Sequence, residues 1–134
     1  GTDEGRTPMS TTPIGPYVDI YLLPVPERNL GAYELQAAAF GAVAREYGAL
    51  SYREYRGDDL GPGFPVGERE VMTVAVAEFT SRAHRDEVMA KVMDDPRVQL
   101  MMSAEQPADM GRMVYGGFAP LVIGTMAGCT SANW

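Results

Sequence analysis

The chain has 134 residues, of which 46% are hydrophobic and 22% are charged, so we expect one soluble globular domain with a modest core. A formal net charge of −7 leaves no basic footprint for nucleic acid and disfavours binding to anionic membranes. The one cysteine, Cys129, excludes an internal disulfide and a cysteine-based metal site. No apolar run approaches the roughly 20 residues of a membrane span, and the N-terminus has no signal-peptide pattern, so we expect a cytoplasmic protein.

The two ends of the chain differ in composition from its middle. Residues 1–16 are rich in Thr, Pro and Gly, and residues 125–134 are small and polar until Trp134. We therefore predict an N-terminal arm over residues 1–16, a folded domain over residues 17–124 and a C-terminal tail over residues 125–134.

The first strand and the first helix are predicted from residues 17–48. The β-rich stretch YVDIYLL, residues 17–23, is followed by two prolines and predicts a strand that ends there. A helix is predicted from about Glu27 to Tyr47, with Gly48 as the glycine that follows its C-terminus. Its apolar residues recur every three or four positions and share one face: Leu30, Tyr33, Ala37, Phe40, Ala44 and Tyr47. The small residues in this stripe, with Gly41 nearby, allow a close approach to a sheet or leave room for a ligand.

Three further strands follow from the same kind of pattern. Residues 49–56 predict a second strand, and residues 70–79, EVMTVAVAEF, give the strongest strand pattern in the chain. Residues 112–123 predict the last strand, in which Gly116 and Gly117 indicate a bulge or a close backbone approach.

A second helix is predicted between the last two strands. Ser81 is a suitable N-cap, and the helix begins at Arg82 and ends at Asp95, because proline disfavours helical conformation in the residue before it. The stretch VQLMM after Pro96 indicates another short turn of helix.

The order β-α-β-β-α-β predicts a ferredoxin-like α+β fold, with a four-stranded antiparallel sheet and two helices on one face. The first and third strands are apolar on both sides, so the sheet face without helices needs a partner layer. The economical solution is a homodimer that pairs sheet on sheet, as in dimeric α+β barrels.

Four blocks of the sequence together resemble the YbaA-like family of unknown function: YVDIYLLPVPERNLGAY, EYGALSYREYRGDD, SRAHRDEVMAKVMDDPRV and GRMVYGGF. They span roughly Tyr17 to Val122, which is nearly the whole predicted domain. The resemblance implies the dimeric α+β barrel fold. It carries no settled activity, because that larger group contains cofactor-independent oxygenases, haem-degrading enzymes, isomerase-like proteins and stress proteins.

The second helix carries the only histidine of the chain, between two arginines. Helical geometry places Arg85 near the middle of the buried stripe and His84 at its edge. An inward arginine near a helix N-terminus needs a carboxylate, a bound anion or water. We favour a structural pair with a carboxylate over an anionic or carbonyl ligand. The candidate partners are Asp19, Glu54, Asp58, Asp59 and Glu78.

A small polar cluster is predicted in the cleft between helices and sheet. Asp19 interrupts an apolar strand and shares its face with Tyr21, and a buried carboxylate needs a hydrogen-bond donor. Asp19, Arg85 and His84 are the candidate catalytic residues, since histidine titrates near neutral pH and suits general-base chemistry. The ligand-binding candidates are Asp19, Tyr21, Tyr33, Arg85 and Tyr115. The alternative, a satisfied buried polar network without a ligand, is the favoured interpretation of the cluster.

These observations support two functional hypotheses. The first is a homodimer that binds a small organic ligand, with any chemistry being cofactor-independent oxygenation, isomerisation or proton transfer. The second is a non-enzymatic structural, stress or interaction module without a ligand. Neither a cofactor nor a metal is expected, because one histidine and scattered acids match no metal-binding motif.

Overall fold

A computed structural model describes residues 16–124 of the protein, so the predicted C-terminal tail and all but the last residue of the predicted N-terminal arm lie outside the described residues. The elements in chain order are β1 (Tyr17–Pro26), α1 (Leu30–Glu46), β2 (Ser51–Arg56), β3 (Glu70–Phe79), α2 (Arg82–Asp94), α3 (Pro96–Ser103) and β4 (Val114–Phe118). This is the predicted order with one addition, since the short turn after Pro96 is a helix of two turns.

The four strands form one antiparallel sheet in the order β2-β3-β1-β4. The two central strands pair along their whole length, from Tyr17 opposite Phe79 to Pro26 opposite Glu70. The helices pack on one face of this sheet, around the core described below. The predicted ferredoxin-like α+β fold is confirmed.

The first strand runs three residues further than predicted, through Pro24 and Pro26. The Glu27 amide donates to the Arg69 carbonyl at 2.8 Å, so odd-numbered residues of this stretch direct their amides to β3. The two prolines therefore lack amides only on the other side, where β4 pairs no further than Leu22. A proline is tolerated in a strand at such an unpaired edge.

Helix boundaries follow the predicted capping residues. Gly48 ends α1 with a φ of 122°, a left-handed conformation that favours glycine. The Ser81 hydroxyl accepts from the His84 amide at 3.0 Å and caps α2. Asp95 ends α2 and caps α3, since its carboxylate accepts from the Arg97 amide at 2.8 Å. The Tyr47 hydroxyl donates to the same carboxylate at 2.7 Å, which ties the end of α1 to this junction.

The last strand is shorter than the predicted residues 112–123. Its pairing with β1 runs without interruption up to Phe118, opposite Val18, so the predicted bulge is absent. The predicted close approach is present, because a Cβ on Gly117 would overlap the Tyr17 side chain. Beyond Phe118, only Tyr17 remains in β1 for pairing, and the next residues continue without strand structure.

The core lies between the helices and the sheet. Phe79, fully buried at the end of β3, packs among valines and alanines of all three helices: Val43, Ala44, Val88, Val92 and Val98. Close packing of these small branched side chains holds α1 and α2 against β3. None of the helices in residues 16–124 is long and apolar enough to cross a membrane.

The opposite face of the sheet is also apolar. Even-numbered residues of β1 and β3 point there, and Val18, Ile20, Leu22, Val74 and Val76 remain half-buried. Tyr55, Val114 and Phe118 on the flanking strands are each more than 50% exposed. This face therefore presents a largely apolar surface, interrupted at one end by the Arg53–Glu78 ion pair.

Candidate functional site

A cleft of about 420 Å³ lies on the helix-covered side of the sheet. Its lining has two unusual classes of side chain, four tyrosines and six methionines. The tyrosines are Tyr21, Tyr33, Tyr52 and Tyr115. Predominantly apolar walls with a few polar groups are typical of small-molecule sites.

The floor of the cleft is one row of residues across the sheet. Strand register places Glu54 of β2, Ala75 of β3, Tyr21 of β1 and Tyr115 of β4 side by side on the same face. Ala75 is the small residue in the middle of this row, so the space above it stays open between Glu54 and the two tyrosines. The rings of Tyr21 and Tyr115 stack, with centroids 5.8 Å apart.

The roof is formed by the first two helices. Ala37 and Phe40 of α1 face Met89 and Met93 of α2 across the cleft. Next to them, Gly41 lies so close to the Tyr52 ring that a Cβ at this position would overlap it. As predicted, a small residue of α1 permits a close approach to the sheet at Gly41. The small side chain of Ala37 helps to keep the cleft open.

The methionines come from three separate parts of the chain. Met89 and Met93 belong to α2, Met101 and Met102 to α3, and Met110 and Met113 flank the turn before β4. The chain has nine methionines, so this cleft gathers most of them. Unbranched, polarisable side chains adapt to irregular apolar surfaces and contact aromatic rings favourably.

A carboxylate with two tyrosine donors lies at one end of the floor. The hydroxyls of Tyr33 and Tyr52 each donate to Glu54 at 2.7 Å, one to each carboxylate oxygen. Burial raises the pKa of Tyr33, and the hydrogen bond to Glu54 and the negative charge of Glu54 raise it further. Burial and the charge of Glu54 likewise raise the pKa of Tyr52. Both hydroxyls therefore stay protonated at neutral pH, and Glu54 is held as a fixed acceptor.

The predicted polar cluster lies at the other side of the cleft, in an adjoining cavity. Arg85 donates to Asp19 at 2.5 Å, to Asp86 at 2.9 Å and to the Tyr17 hydroxyl at 3.3 Å. The Tyr21 hydroxyl donates to Asp19 at 3.4 Å. Asp19 is only 3% exposed, so Arg85 supplies the partner that a buried carboxylate needs.

The electrostatics of Asp19 reflect two opposed effects. Burial raises the pKa of Asp19, and the Arg85 guanidinium opposes this shift. Burial and the neighbouring Asp19 charge raise the pKa of Tyr21. Tyr21 therefore stays protonated at neutral pH and serves as a hydrogen-bond donor to Asp19 beside the apolar cleft.

The structure brings together most of the residues predicted from the sequence. Asp19, Tyr21, Arg85 and Tyr115 line one cavity, and Tyr33 lines the adjoining cleft together with Tyr21 and Tyr115. Whether they bind a ligand stays a prediction.

His84 does not join this cluster. Its Nδ1 accepts from the Thr80 amide at 3.0 Å, and its ring packs edge-on against Phe79. It lines neither cavity, and its contacts tie the start of α2 to the end of β3. Among residues 16–124, no group of three His, Cys, Asp or Glu side chains is placed to hold a metal ion.

Sequence reasoning missed Tyr52, Glu54 as a site residue, and the methionines. The alternation in SYREYR does put Tyr52 and Glu54 on one strand face, which is a usable signal. The alternation does not reveal the strand register, which places this face of β2 beneath α1. Met89 and Met93 appear in the sequence only as part of a buried helix stripe, which is the usual role of such residues.

Solved structures with the same architecture define the class of protein. Rv0793 from Mycobacterium tuberculosis aligns with a TM-score of 0.57 at 17% identity, over 82% of this chain and 99% of that one. A nipsnap family protein with unknown function from Agrobacterium tumefaciens gives 0.54 at 18%, over 79% and 88%. A dimeric ferredoxin-like protein from an uncultured marine organism gives 0.51 at 14%, over 81% and 98%. The chain is thus a ferredoxin-like α+β protein.

The family follows from sequence similarity. A family model described as "Protein of unknown function (DUF1428)" matches residues 16–110, and the chain belongs to this family. It is 31% identical over 114 residues to the uncharacterized protein YbaA of Escherichia coli K12, which covers 79% of this chain and 97% of that protein. The YbaA of Shigella flexneri gives the same values. The resemblance to the YbaA-like family is confirmed.

Proposed function

We propose that the protein is a homodimer that binds a small organic ligand in the cleft between the helices and the sheet. The single observation that carries the ligand proposal is the cleft itself. Its volume of about 420 Å³ falls within the range of roughly 300–1,000 Å³ that small-molecule sites occupy. Its walls are mainly methionine and tyrosine side chains with the carboxylate of Glu54, and Asp19 and Arg85 line the adjoining cavity.

Filling the cleft should abolish ligand binding without harming the fold. Ala37 lines the cleft from α1, so Ala37→Leu is expected to occupy the space above Ala75. A panel of naphthalene- and indole-based alcohols, amines and ketones is to be tested by thermal unfolding followed by circular dichroism. A compound present at 100 times its Kd stabilises the native state by about 2.7 kcal/mol, which raises Tm by several degrees. We expect such shifts in the unaltered protein and none in Ala37→Leu.

Ala39→Leu is the matched control, because Ala39 is an exposed residue of the same helix and lines neither cavity. It should keep every shift. Shifts that persist in Ala37→Leu would place the ligand elsewhere. A panel that stabilises none of the proteins would favour the interaction module without a ligand.

Dimerisation is supported by the apolar sheet face opposite the helices. Val74 lies in the middle of this face, between Leu22 of β1 and Tyr55 of β2. Contiguous exposed apolar surfaces of this kind mark association sites. A solved structure of the same fold is described as dimeric, which makes a second copy of this chain the partner of choice.

A charge in the middle of the apolar sheet face should dissociate the dimer. We expect the unaltered protein to run in sedimentation or light-scattering experiments at twice the mass of one chain. Val74→Glu should run as a folded monomer, because a buried unpaired carboxylate in the interface costs several kcal/mol. Leu35→Glu changes an apolar residue that is 76% exposed on α1 and should leave the dimer intact. A monomeric unaltered protein, or a Val74→Glu dimer, would contradict this assignment.

A further inference from the structure

Resting on the ligand site proposed above, we propose that the cleft selects organic cations. A protonated amine would bind Glu54 between the rings of Tyr33 and Tyr52. An apolar or aromatic body would lie along the methionines. Three features support this selectivity: the charge that lines the cleft, the acceptor positions that Glu54 has left, and the aromatic side chains nearby.

Glu54 is the only charged residue among those that line the cleft in the described part of the chain. Within residues 16–124 it forms no ion pair, although Arg56 lies two residues further along the same strand. Within the described residues the charge that lines the cleft is therefore negative, and a cationic ligand would neutralise it. An apolar cavity strengthens such an attraction, because its effective dielectric constant is far below that of water.

The two tyrosine hydroxyls do not exhaust the hydrogen-bonding capacity of Glu54. A carboxylate offers about four acceptor positions, and Tyr33 and Tyr52 occupy one on each oxygen. The hydroxyl groups act as donors to Glu54, so they hold the carboxylate in place without neutralising it. The remaining positions suit an ammonium group, which carries only donors.

Aromatic side chains line the same cleft as this carboxylate. Tyr33, Tyr52 and Phe40 line the same cleft, and the rings of Phe40 and Tyr52 are 5.8 Å apart and inclined by 58°. The faces of such rings carry negative electrostatic potential and attract cations. The environment of Glu54 therefore combines a fixed charge with the aromatic walls that organic cations prefer.

Anionic ligands are disfavoured at the opposite side of the site. Among the described residues that line this cavity, Arg85 is the one cation, and it is already matched by Asp19 at 2.5 Å and Asp86 at 2.9 Å. An anion would have to displace a buried carboxylate, which would then lack a partner. Because Arg85 is already paired within the described residues and Glu54 is not, we predict that ligands differ in affinity according to the sign of their charge.

Three probes with the same ring system test the proposal by isothermal titration calorimetry: 1-naphthylmethylamine, 1-naphthalenemethanol and 1-naphthoate. We expect the amine to bind about tenfold more tightly than the alcohol, and the carboxylate most weakly. Glu54→Gln should remove the advantage of the amine and leave the affinity of the alcohol within about twofold, because the shape of the side chain is kept. Glu34→Gln removes an exposed carboxylate just outside the cleft and should change neither affinity.

Each outcome distinguishes this proposal from the ligand site on which it rests. Equal binding of the three probes would overturn the selection of cations and keep the site. An amine preference that survives Glu54→Gln would overturn the role of Glu54. Preference for the carboxylate would overturn the proposed sign and direct attention to Arg85. Failure of all three probes to bind at millimolar concentration would contradict both proposals.

Discussion

Replacing Arg85 with alanine is expected to destabilise the protein by about 3 kcal/mol at neutral pH, because it leaves a buried carboxylate without its cation. Asp19 is 3% exposed, and its remaining partner would be the Tyr21 hydroxyl at 3.4 Å. The loss should appear in the free energy of unfolding measured with urea, with an unchanged denaturant dependence.

This loss should depend on pH in a defined direction. Burial already raises the pKa of Asp19 above its ordinary 3.8, and removal of Arg85 raises it further. A carboxyl group whose pKa is raised in the folded state favours folding when protonated, and this contribution is lost as the pH rises through the folded-state pKa. The deficit of Arg85→Ala relative to the unaltered protein should therefore shrink towards pH 4.

Two variants separate a charge effect from a packing effect. Asp19→Asn should cost only about 1 kcal/mol, because Arg85 retains Asp86 and can still donate to the amide oxygen. Combined with Arg85→Ala, it should restore part of the lost stability, since the unpaired charge is gone. If the double variant is no more stable than Arg85→Ala alone, lost packing of the arginine stem explains the effect instead.

Alanine at Gly41 is expected to destabilise the protein by about 2 kcal/mol, although alanine is the better helix former. Its Cβ would overlap the Tyr52 ring, which is fixed by its hydrogen bond to Glu54. Overpacking of this kind costs roughly 1–3 kcal/mol, more than the gain of about 0.5–1 kcal/mol from helix propensity. A shifted Tyr52 also moves a wall of the cleft, so binding of 1-naphthylmethylamine should weaken.

Gly31 provides the matched control on the same helix. A Cβ at Gly31 meets no atom within 4 Å, so Gly31→Ala should stabilise the protein by roughly 0.5 kcal/mol. Urea unfolding of both variants should therefore give changes of opposite sign. A Gly41→Ala variant as stable as Gly31→Ala would show that Tyr52 can move aside at little cost.

The parts of the site that local periodicity determines were predictable. Strand alternation places Asp19 and Tyr21 on one face, and helix phase directs Arg85 inward. The choice of Asp19 among the five candidate carboxylates follows from the sheet order. The capping roles of Ser81 and Gly48 likewise depend only on their immediate neighbours.

The other parts depend on distant pairing. Tyr33 and Glu54 meet only because β2 takes its place at the edge of the sheet beneath α1, and nothing near either residue encodes that register. The length of β1 was underestimated for the same reason. Whether Pro24 ends a strand depends on a neighbour more than 80 residues away, β4, which does not reach it.

The methionine lining carries a chemical liability as well as adaptability. Met93, Met102 and Met110 are 42%, 54% and 38% exposed, so oxidants in solution reach the rim of the cleft directly. Each sulfoxide formed replaces a soft apolar contact with a polar, chiral one. Oxidising conditions would therefore alter the same surface that is proposed to bind the ligand. Methionine sulfoxide reductases would reverse this change.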